Sequence, residues 1–306
     1  MSVVTTDLQG TLPLIARGKV RDLYQLSDDK LLFVATDRIS AFDVILNNGI
    51  PSKGKLLTGL SEFWFELLAD VTKNHLVPGV NSHNLAKALP QSVSSNDELI
   101  SQLIGRSMVV NKYKVLPLEV IVRGYITGSA WAEYKKSGTV HGIPQKAGLQ
   151  ESEAFETPIY TPSTKAEQGE HDENIHPDEA AKIVGPELAA KLEKLALKLY
   201  TTARDYALSK GIIIADTKFE FGTDENGDIV LLDEVLTPDS SRFWRKDTYA
   251  LGKSQDSYDK QFVRDWLISN NLKAVDNVTI PDEIVEKTKA KYVEAYETLT
   301  GNKWVE

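Results

Sequence analysis

The spacing of apolar and polar positions changes period several times along the chain. Near the N-terminus, RGKVRDLYQL and KLLFVAT read as two strands joined by the turn SDD, and FDVILN reads as a third. KLLTGLSEFWFELLAD then places Leu56, Leu60, Phe63, Trp64 and Leu67 at helical spacing. RSMVVNKYKVLPLEVIVRG gives two more strands broken near Lys114, and Pro117 predicts that the second is an edge strand or begins there. From His141 to about Pro177 neither period is visible, and a loop this long inside a compact domain is usually functional or disordered. A helix follows, opened near Pro186 and closed before Gly211, with Leu188, Leu192, Leu195 and Leu199 on one face. Next come the strand IIIADTKFEFG, the turn TDENGD and the strand IVLLDEV, and helices around Ser257–Ser269 and Asp282–Thr298 close the chain. The mixture predicts an α+β fold.

The strand from Ile212 to Gly222 carries an unusual face. Alternation puts Ile213, Ala215, Thr217, Phe219 and Phe221 on one side, and Ile212, Ile214, Asp216, Lys218 and Glu220 on the other. Asn226-Gly227 between two strand-like runs is a strong hairpin signal, and a two-residue turn there pairs Phe221 with Leu232 and Glu220 with Asp233. Opposite residues share a face, so two carboxylates would repel unless a cation lay between them. Mg²⁺ suits such a pair, because it takes one or two carboxylates and fills its shell with water and substrate phosphates. Lys218 is then placed to hold a phosphate oxygen, and Asp216 to orient Lys218 or a substrate. A solvated face of mixed charge is the alternative, and the apolar opposite face weighs against it.

Composition narrows the partners. The 306 residues carry a formal net charge of -9, so a nucleic-acid backbone is not an expected partner, and an anionic ligand needs a local basic cluster. There are no cysteines, which excludes disulfides, thiolate catalysis and cysteine-bound metals. The first twenty residues lack the pattern of a signal peptide, and no apolar run approaches bilayer length, so a cytoplasmic protein is expected. Without secretion, the glycosylation match at Asn277 carries no meaning.

Other short motifs carry less. GIPSKGKL nearly spells a P-loop, but Leu56 stands where Ser or Thr must reach the metal, and Pro51 removes an N–H from the loop. ARGKVRDLY sets Lys19 and Arg21 on one strand face beside Gly18; a glycine-bearing hairpin of this kind can cover nucleotide phosphates, and a basic exposed strand is the plainer reading. In EVIVRGYITGSAWAEYKKSG a strand ends at Arg123, a turn containing Gly128 follows, and Ser129 is positioned to cap a helix. Free N–H groups at that helix start, together with the Arg123 fork, would form an anion site. Ser240, Ser241 and Arg242 in LTPDSSRFW add hydroxyls and a guanidinium close after Asp233. The histidines form no recognisable site; His171 and His176 read as loop polarity.

Taken together, GKVRDLY, DRISAFD, LPLEVIVRGYITGS, YTPSTKAEQGEHDENI, IADTKFEFG and DEVLTPDSSRFW, in this order from about Arg17 to Arg264, closely resemble the SAICAR synthetase family of purine biosynthesis, in the single-function form of fungi and some bacteria. The resemblance implies an ATP-dependent ligase. It would join the carboxylate of carboxyaminoimidazole ribonucleotide (CAIR) to the amine of L-aspartate, giving SAICAR, ADP and phosphate, through an acyl phosphate. ATP and Mg²⁺ are the implied cofactors, and no nucleic-acid or membrane partner is expected of the monomer.

The resemblance also implies roles. Glu220 and Asp233 would bind Mg²⁺. Lys218, with Gly18, Lys19 and Arg21, would hold ATP phosphates, and Asp216 would support the metal site. The strand around Val110 and Lys112 would meet adenine through its backbone, with Glu119 toward the ribose. Arg123, Gly128, Ser129, Ser241 and Arg242 would grip CAIR, and Lys218, Asp216 and Arg242 would carry the chemistry. The implied architecture is an N-terminal β-rich lobe like a kinase small lobe (residues 1–114), an ATP-grasp-like central domain (115–255) with the long loop 141–177, and C-terminal helices (256–306). ATP would lie in the cleft between lobes. A small-molecule kinase or another ligase on the same lobes is the nearest rival reading, and a non-catalytic nucleotide-binding module is the next.

Overall fold

The computed structural model describes residues 2–165 and 172–305. Its chain is mixed α+β and divides into two compact units: one of residues up to Phe63, His75–Lys112 and Tyr258 onward, the other of Trp64–Asn74 and Tyr113–Ser257.

The first unit opens with β1 (Leu14–Arg17), β2 (Arg21–Gln25) and β3 (Lys30–Ala35), a short hairpin of β4 (Ser40–Ala41) and β5 (Val44–Ile45), and α1 (Lys53–Leu67). The chain then makes β6 (Lys73–Asn74), which belongs to the second unit, and returns through α2 (Gln91–Ser94) and α3 (Asp97–Ser101) to β7 (Ser107–Asn111). Strands β1-β2-β3-β7 form one antiparallel sheet in that order. Tyr24, Leu32, Val34 and Val109 bury one face of it against Leu85, Leu99 and Leu103. Asp22, on the same strand as Tyr24, is fully buried and is held by Arg38 at 2.8 Å and by the Thr6 hydroxyl at 2.6 Å. A buried carboxylate is tolerated only when paired in this way. FDVILN shrinks to the two residues of β5, because Phe42 and Asp43 take positive φ and end the extended run.

The second unit is built on one sheet. It contains β8 (Lys114–Tyr125), α4 (Gly128–Ser137), β9 (Thr139–Val140), β10 (Ile143–Pro144), β11 (Ala154–Tyr160), β12 (Ser163–Thr164), α5 (Pro177–Val184), α6 (Pro186–Ser209), β13 (Ile212–Thr223), β14 (Ile229–Leu232) and β15 (Ser241–Arg245). The strand order is β11-β8-β13-β14-β6, with β12 also on β8 and β15 also on β13. Two helices, α7 (Gln261–Ser269) and α8 (Asp282–Thr300), close the chain in the first unit, where Val263, Leu267 and Val285 pack with Ile39, Leu46 and Ile50.

Four sequence expectations change here. Pro117 does not mark an edge: β8 runs through it with neighbours on both sides. The β8–β13 register passes from Glu220↔Glu119 to Gly222↔Val115, so Pro117 lies in a bulge where no ladder N–H is required of it. The same strand continues past Arg123 to Tyr125. The stretch 141–177 is not one loop, since β10, β11 and β12 lie within it, too short or too irregular to show a period. The turn after β13 is not the two-residue type. Asp224 and Asp228 close it, with Asp224 N–H donating to Asp228 O at 3.0 Å and Gly227 at φ 81°, which is the three-residue turn with a glycine bulge. Glu220 therefore pairs with Leu232, one residue short of Asp233.

Helix α6 packs on β13, β8 and β11, and buries Ala189, Leu192, Ala196, Leu199, Tyr200, Ala203 and Ala207 at helical spacing. The alanines let it come close. At one point the approach depends on a missing side chain: a Cβ on Gly124 would sit 1.8 Å from Tyr200 Oη, which donates to Ile214 O at 2.7 Å. Gly124→Ala should thus cost about 2–4 kcal/mol in a urea titration, and Tyr200→Phe about 1–3 kcal/mol. In the double variant the two costs should fall short of adding, because Tyr200→Phe removes the very oxygen that the methyl group introduced by Gly124→Ala would meet; strict additivity would show that the two sites do not touch.

Candidate active site

The charged face of β13 lies mid-sheet, between β8 on one side and β14 and β15 on the other. Each of its charges meets a counter-charge from a neighbouring strand or loop. Asp216 stands opposite Arg123 of β8 and opposite Arg242 of β15. Its Oδ2 accepts from Arg123 Nη1 at 3.3 Å and also from Arg242 Nη1. Side-chain exposure separates the three: 4% for Arg123, 7% for Asp216 and 37% for Arg242. Arg123 is a fixed buried charge, and Arg242 is the arm that solvent and ligands can reach.

Arg123 also donates to Thr161 Oγ1 (from Nε, 3.0 Å) and to His141 Nε2 (from Nη2, 3.3 Å). Burial works against its charge and Asp216 supports it. Arg242 leans over the start of α4: a Cβ on Gly128 would lie 2.4 Å from Arg242 Nη2, so glycine is the residue that admits the guanidinium. Thr127 is the cap of α4 and makes no side-chain capping bond. Ser129 is thus not the cap expected for it but the second residue of the helix, because the helix starts two residues earlier. The α4 N–H groups, Ser129 and the two guanidiniums form a region suited to an anion.

Two residues further along, Lys218 Nζ bonds Glu119 of β8. Two more along, Glu220 stands directly opposite Glu119. Like charges in that position repel, and here Lys218 and Lys165 neutralise the pair, Lys165 by bonding Glu220. Facing carboxylates do exist on this strand, but the partner of Glu220 is Glu119 on β8 rather than Asp233, which lies just past the end of β14. Asp233 begins the turn after β14 with φ 64°. Burial tends to strip Lys218 of its proton, yet Glu119, Glu220 and Asp233 together hold its pKa above the usual lysine value. Three carboxylates thus converge electrostatically on one ammonium.

Ser241 falls elsewhere. It pairs with Thr217, on the opposite face of β13 from Asp216, and their hydroxyls bond each other at 2.8 Å. The residues of the first unit are placed as follows. Gly18 makes the turn between β1 and β2, its N–H donating to Arg21 O at 2.7 Å, and Lys19 pairs with Asp43 at 2.6 Å on the surface. Val110 is bridged to Leu76, and Lys112 N–H donates to Asp29 O at 2.8 Å, which removes that donor from any contact with a purine. His171 lies outside the described residues. Three residues now beside the charged face were not singled out from sequence: His141, Thr161 and Lys165. His141-Gly142, both at positive φ, signals a tight turn but not its neighbours.

Comparison with known proteins supplies what the geometry leaves open. The sequence profile of SAICAR synthetase matches residues 14–281. The phosphoribosylaminoimidazole-succinocarboxamide synthase of Pichia angusta is 64% identical over 304 residues, covering 99% of this chain and 100% of the relative. That of Saccharomyces cerevisiae is 60% identical over 305 residues, covering 99% of each. The S. cerevisiae SAICAR synthase solved in complex with SAICAR superposes with a TM-score of 0.93 at 58% identity, over 100% of both chains. A SAICAR synthetase solved with ADP superposes with a TM-score of 0.68 at 28% identity, over 95% of this chain and 99% of the other.

The Asp216 cluster makes a stability prediction of its own. Asp216→Asn leaves the buried Arg123 without its carboxylate, and breaking a buried pair on one side costs about 3–5 kcal/mol. A denaturant titration of the purified variant should show that loss; a change below about 1 kcal/mol would mean that Arg123 does not depend on Asp216 for its charge.

Proposed function

The chain belongs to the SAICAR synthetase family, and we propose that the charged face of β13 is where its reaction takes place. The enzyme is an ATP-dependent ligase that joins the carboxylate of CAIR to the amine of L-aspartate, giving SAICAR, ADP and phosphate. The observation that carries the assignment is the juxtaposition on one strand of an arginine-rich anion region with a lysine ringed by carboxylates. The first suits a phosphorylated substrate and the second suits polyphosphate chemistry.

A carboxylate is a poor acyl donor because its leaving group would be oxide. In the proposed route a CAIR carboxylate oxygen attacks the γ-phosphorus of ATP, the bond to the β–γ bridging oxygen breaks, and ADP leaves. The aspartate amine then attacks the acyl carbon, loses a proton, and expels phosphate. Arg242, Ser129 and the α4 N–H groups hold the phosphate and ribose end of CAIR, with Arg123 and Asp216 fixing the direction of Arg242. Lys218 neutralises charge on the transferred phosphoryl group, which is most of what phosphoryl-transfer catalysis asks of a protein.

The donor set also fits a metal. Glu220 and Asp233 offer hard carboxylate oxygens in a cluster where, with Glu119, three carboxylates stand against the two ammoniums of Lys165 and Lys218. Mg²⁺ held by Glu220 and Asp233 would neutralise the nucleotide's phosphates. Gly18, Lys19 and Arg21 complete the nucleotide contacts in this reading. The four-stranded sheet of the first unit then acts as a kinase-like nucleotide lobe, and the sheet of the second unit as an ATP-grasp-like domain, in a cytoplasmic monomer.

The test follows ADP and SAICAR together while ATP, Mg²⁺, CAIR and L-aspartate are omitted in turn. Both products should appear only in the full mixture. ADP without aspartate, accompanied by a stable phosphorylated product, would make the protein a kinase and reject the ligase reading. Glu220→Gln and Asp233→Asn should each lower kcat by about 100-fold and raise the Mg²⁺ concentration needed for half-maximal rate, with unchanged thermal melts. Normal Mg²⁺ dependence in both would remove them as metal ligands.

A further inference from the structure

His141 is 3% exposed and sits with φ 49°, in the left-handed region that few non-glycine residues adopt and histidine more often than most. Its two ring nitrogens face unlike partners. Nδ1 is 2.8 Å from Pro162 O, which can only accept. Nε2 is 3.3 Å from Arg123 Nη2, which can only donate. A hydrogen on Nδ1 and a lone pair on Nε2 satisfy both of these contacts, and the Ile175 carbonyl is a further acceptor at the ring. The backbone of the turn is tied as well, since His141 N–H and Gly142 N–H both donate to the Glu133 carboxylate, each at 2.9 Å.

We infer that His141 is a positioning residue, whose uncharged imidazole fixes the guanidinium plane of Arg123 and through it the anion-binding arm of Arg242. The inference rests on the reading of Arg242, held in direction through Arg123 and Asp216, as a substrate residue. Arg123 is surrounded by acceptors of three kinds: the Thr161 hydroxyl, the Asp216 carboxylate and the His141 lone pair. The last is the side-chain type whose ordinary titration lies closest to neutral pH, where a proton turns its lone pair into a donor. A protonated His141 would point an N–H and a positive charge at Arg123, leaving that donor without an acceptor.

The charged groups that act on His141 are Arg123 of β8 and Glu133 of α4; behind Arg123 stand Asp216 of β13 and Arg242 of β15, and His176, next to α5, lies beside Gly142. Burial, and then Arg123, push the imidazole below its usual value, while the Pro162 carbonyl, Glu133 and the Ile175 carbonyl act in the opposite sense. The sign follows. In the unfolded chain the imidazole protonates near pH 6.5, whereas in the folded protein it stays neutral until the pH is lower. The stabilisation linked to the neutral form is complete above pH ~6.5 and is lost as pH falls through the depressed folded value. Substrate affinity that depends on the neutral ring should be lost in that same acid window.

The experiment compares wild type with His141→Ala, His141→Gln and Arg123→Gln, measuring SAICAR binding by calorimetry and steady-state kinetics across pH 5 to 8. His141→Ala should weaken SAICAR binding and raise KM for CAIR by about tenfold, with kcat and KM for ATP changed less than about threefold. His141→Gln, whose side-chain oxygen can still accept from Arg123, should recover most of the loss. It should also abolish the acid fall, so the ratio of variant to wild-type Kd drops below pH ~6; the ligand's own titration cancels in that ratio. Equal effects of Ala and Gln, or an unchanged pH profile in His141→Gln, would overturn the positioning role. If His141→Ala fails to fold, ¹⁵N spectra of the wild-type imidazole decide the matter: a hydrogen on Nε2 at neutral pH overturns the inference. Arg123→Gln separates the two readings. If it leaves SAICAR binding intact, the substrate assignment itself fails; if it weakens binding while the histidine variants do not, only the role of His141 fails.

Discussion

A strand cannot be central in a sheet and carry a row of charges unless each charge is met from the side. That requirement on Asp216, Lys218 and Glu220 organises the second unit. Asp216 needs Arg123 and Arg242, so β8 and β15 must flank β13 in the registers observed. Lys218 stands opposite Ile121 and reaches diagonally to Glu119, two residues further along β8. Glu220, facing Glu119, needs Lys165, which brings the segment around β12 onto β8. A one-residue slip of β13 would send every charge to the apolar side at once. The ion pairs thus contribute to the uniqueness of the register more than to net stability, since burying charges offsets most of what pairing gains.

The same spacing divides the labour of the proposed site. Residues two apart on a strand lie about 7 Å from each other, so Asp216 and Glu220 are separated by roughly 13 Å. That distance keeps a cation-rich end, built on Arg123 and Arg242, apart from a carboxylate-rich end around Lys218. A ligase that activates one anion with another has to hold two negatively charged substrates close without letting their repulsion drive them apart. Opposite bias at the two ends of one rigid strand is a simple way to do so, because neither end must reorganise when the other is filled.

Much of this was legible in the sequence, and what was not has a physical cause. Period and turn chemistry located β2, β3, α1, α6, β13 and β14, because each is decided by residues close in the chain. The charged face of β13 followed from alternation alone. The register of the hairpin did not, since Asn226-Gly227 serves both a two-residue turn and a three-residue turn with a glycine bulge, and the difference is one position. That single step puts Leu232 where Asp233 was expected, and the carboxylate that does face Glu220, Glu119, comes from β8 on the other side. Pro117 misled for a similar reason: a bulge hides the missing N–H, and bulges leave little trace in composition. Ser241 followed its register partner Thr217 to the far face.

The residues that sequence reading passed over share one property. His141, Thr161 and Lys165 reach the site from a stretch with no period, and each acts through a partner far away in the chain: Arg123 for the first two, Glu220 for the third. Nothing local in VHGIP or YTPSTK says that a guanidinium lies alongside. The irregularity of the stretch is itself a consequence of the task. A regular strand alternates its side chains and can present only every second residue to one face, whereas His141 at positive φ, the register shift in β11 and the two-residue β12 let successive short pieces of chain each aim one acceptor or one cation at β8 and β13. The arrangement trades the ladder hydrogen bonds of a longer strand for control over where single polar atoms stand, and Arg123, with acceptors fixed on three sides, is where that control is spent.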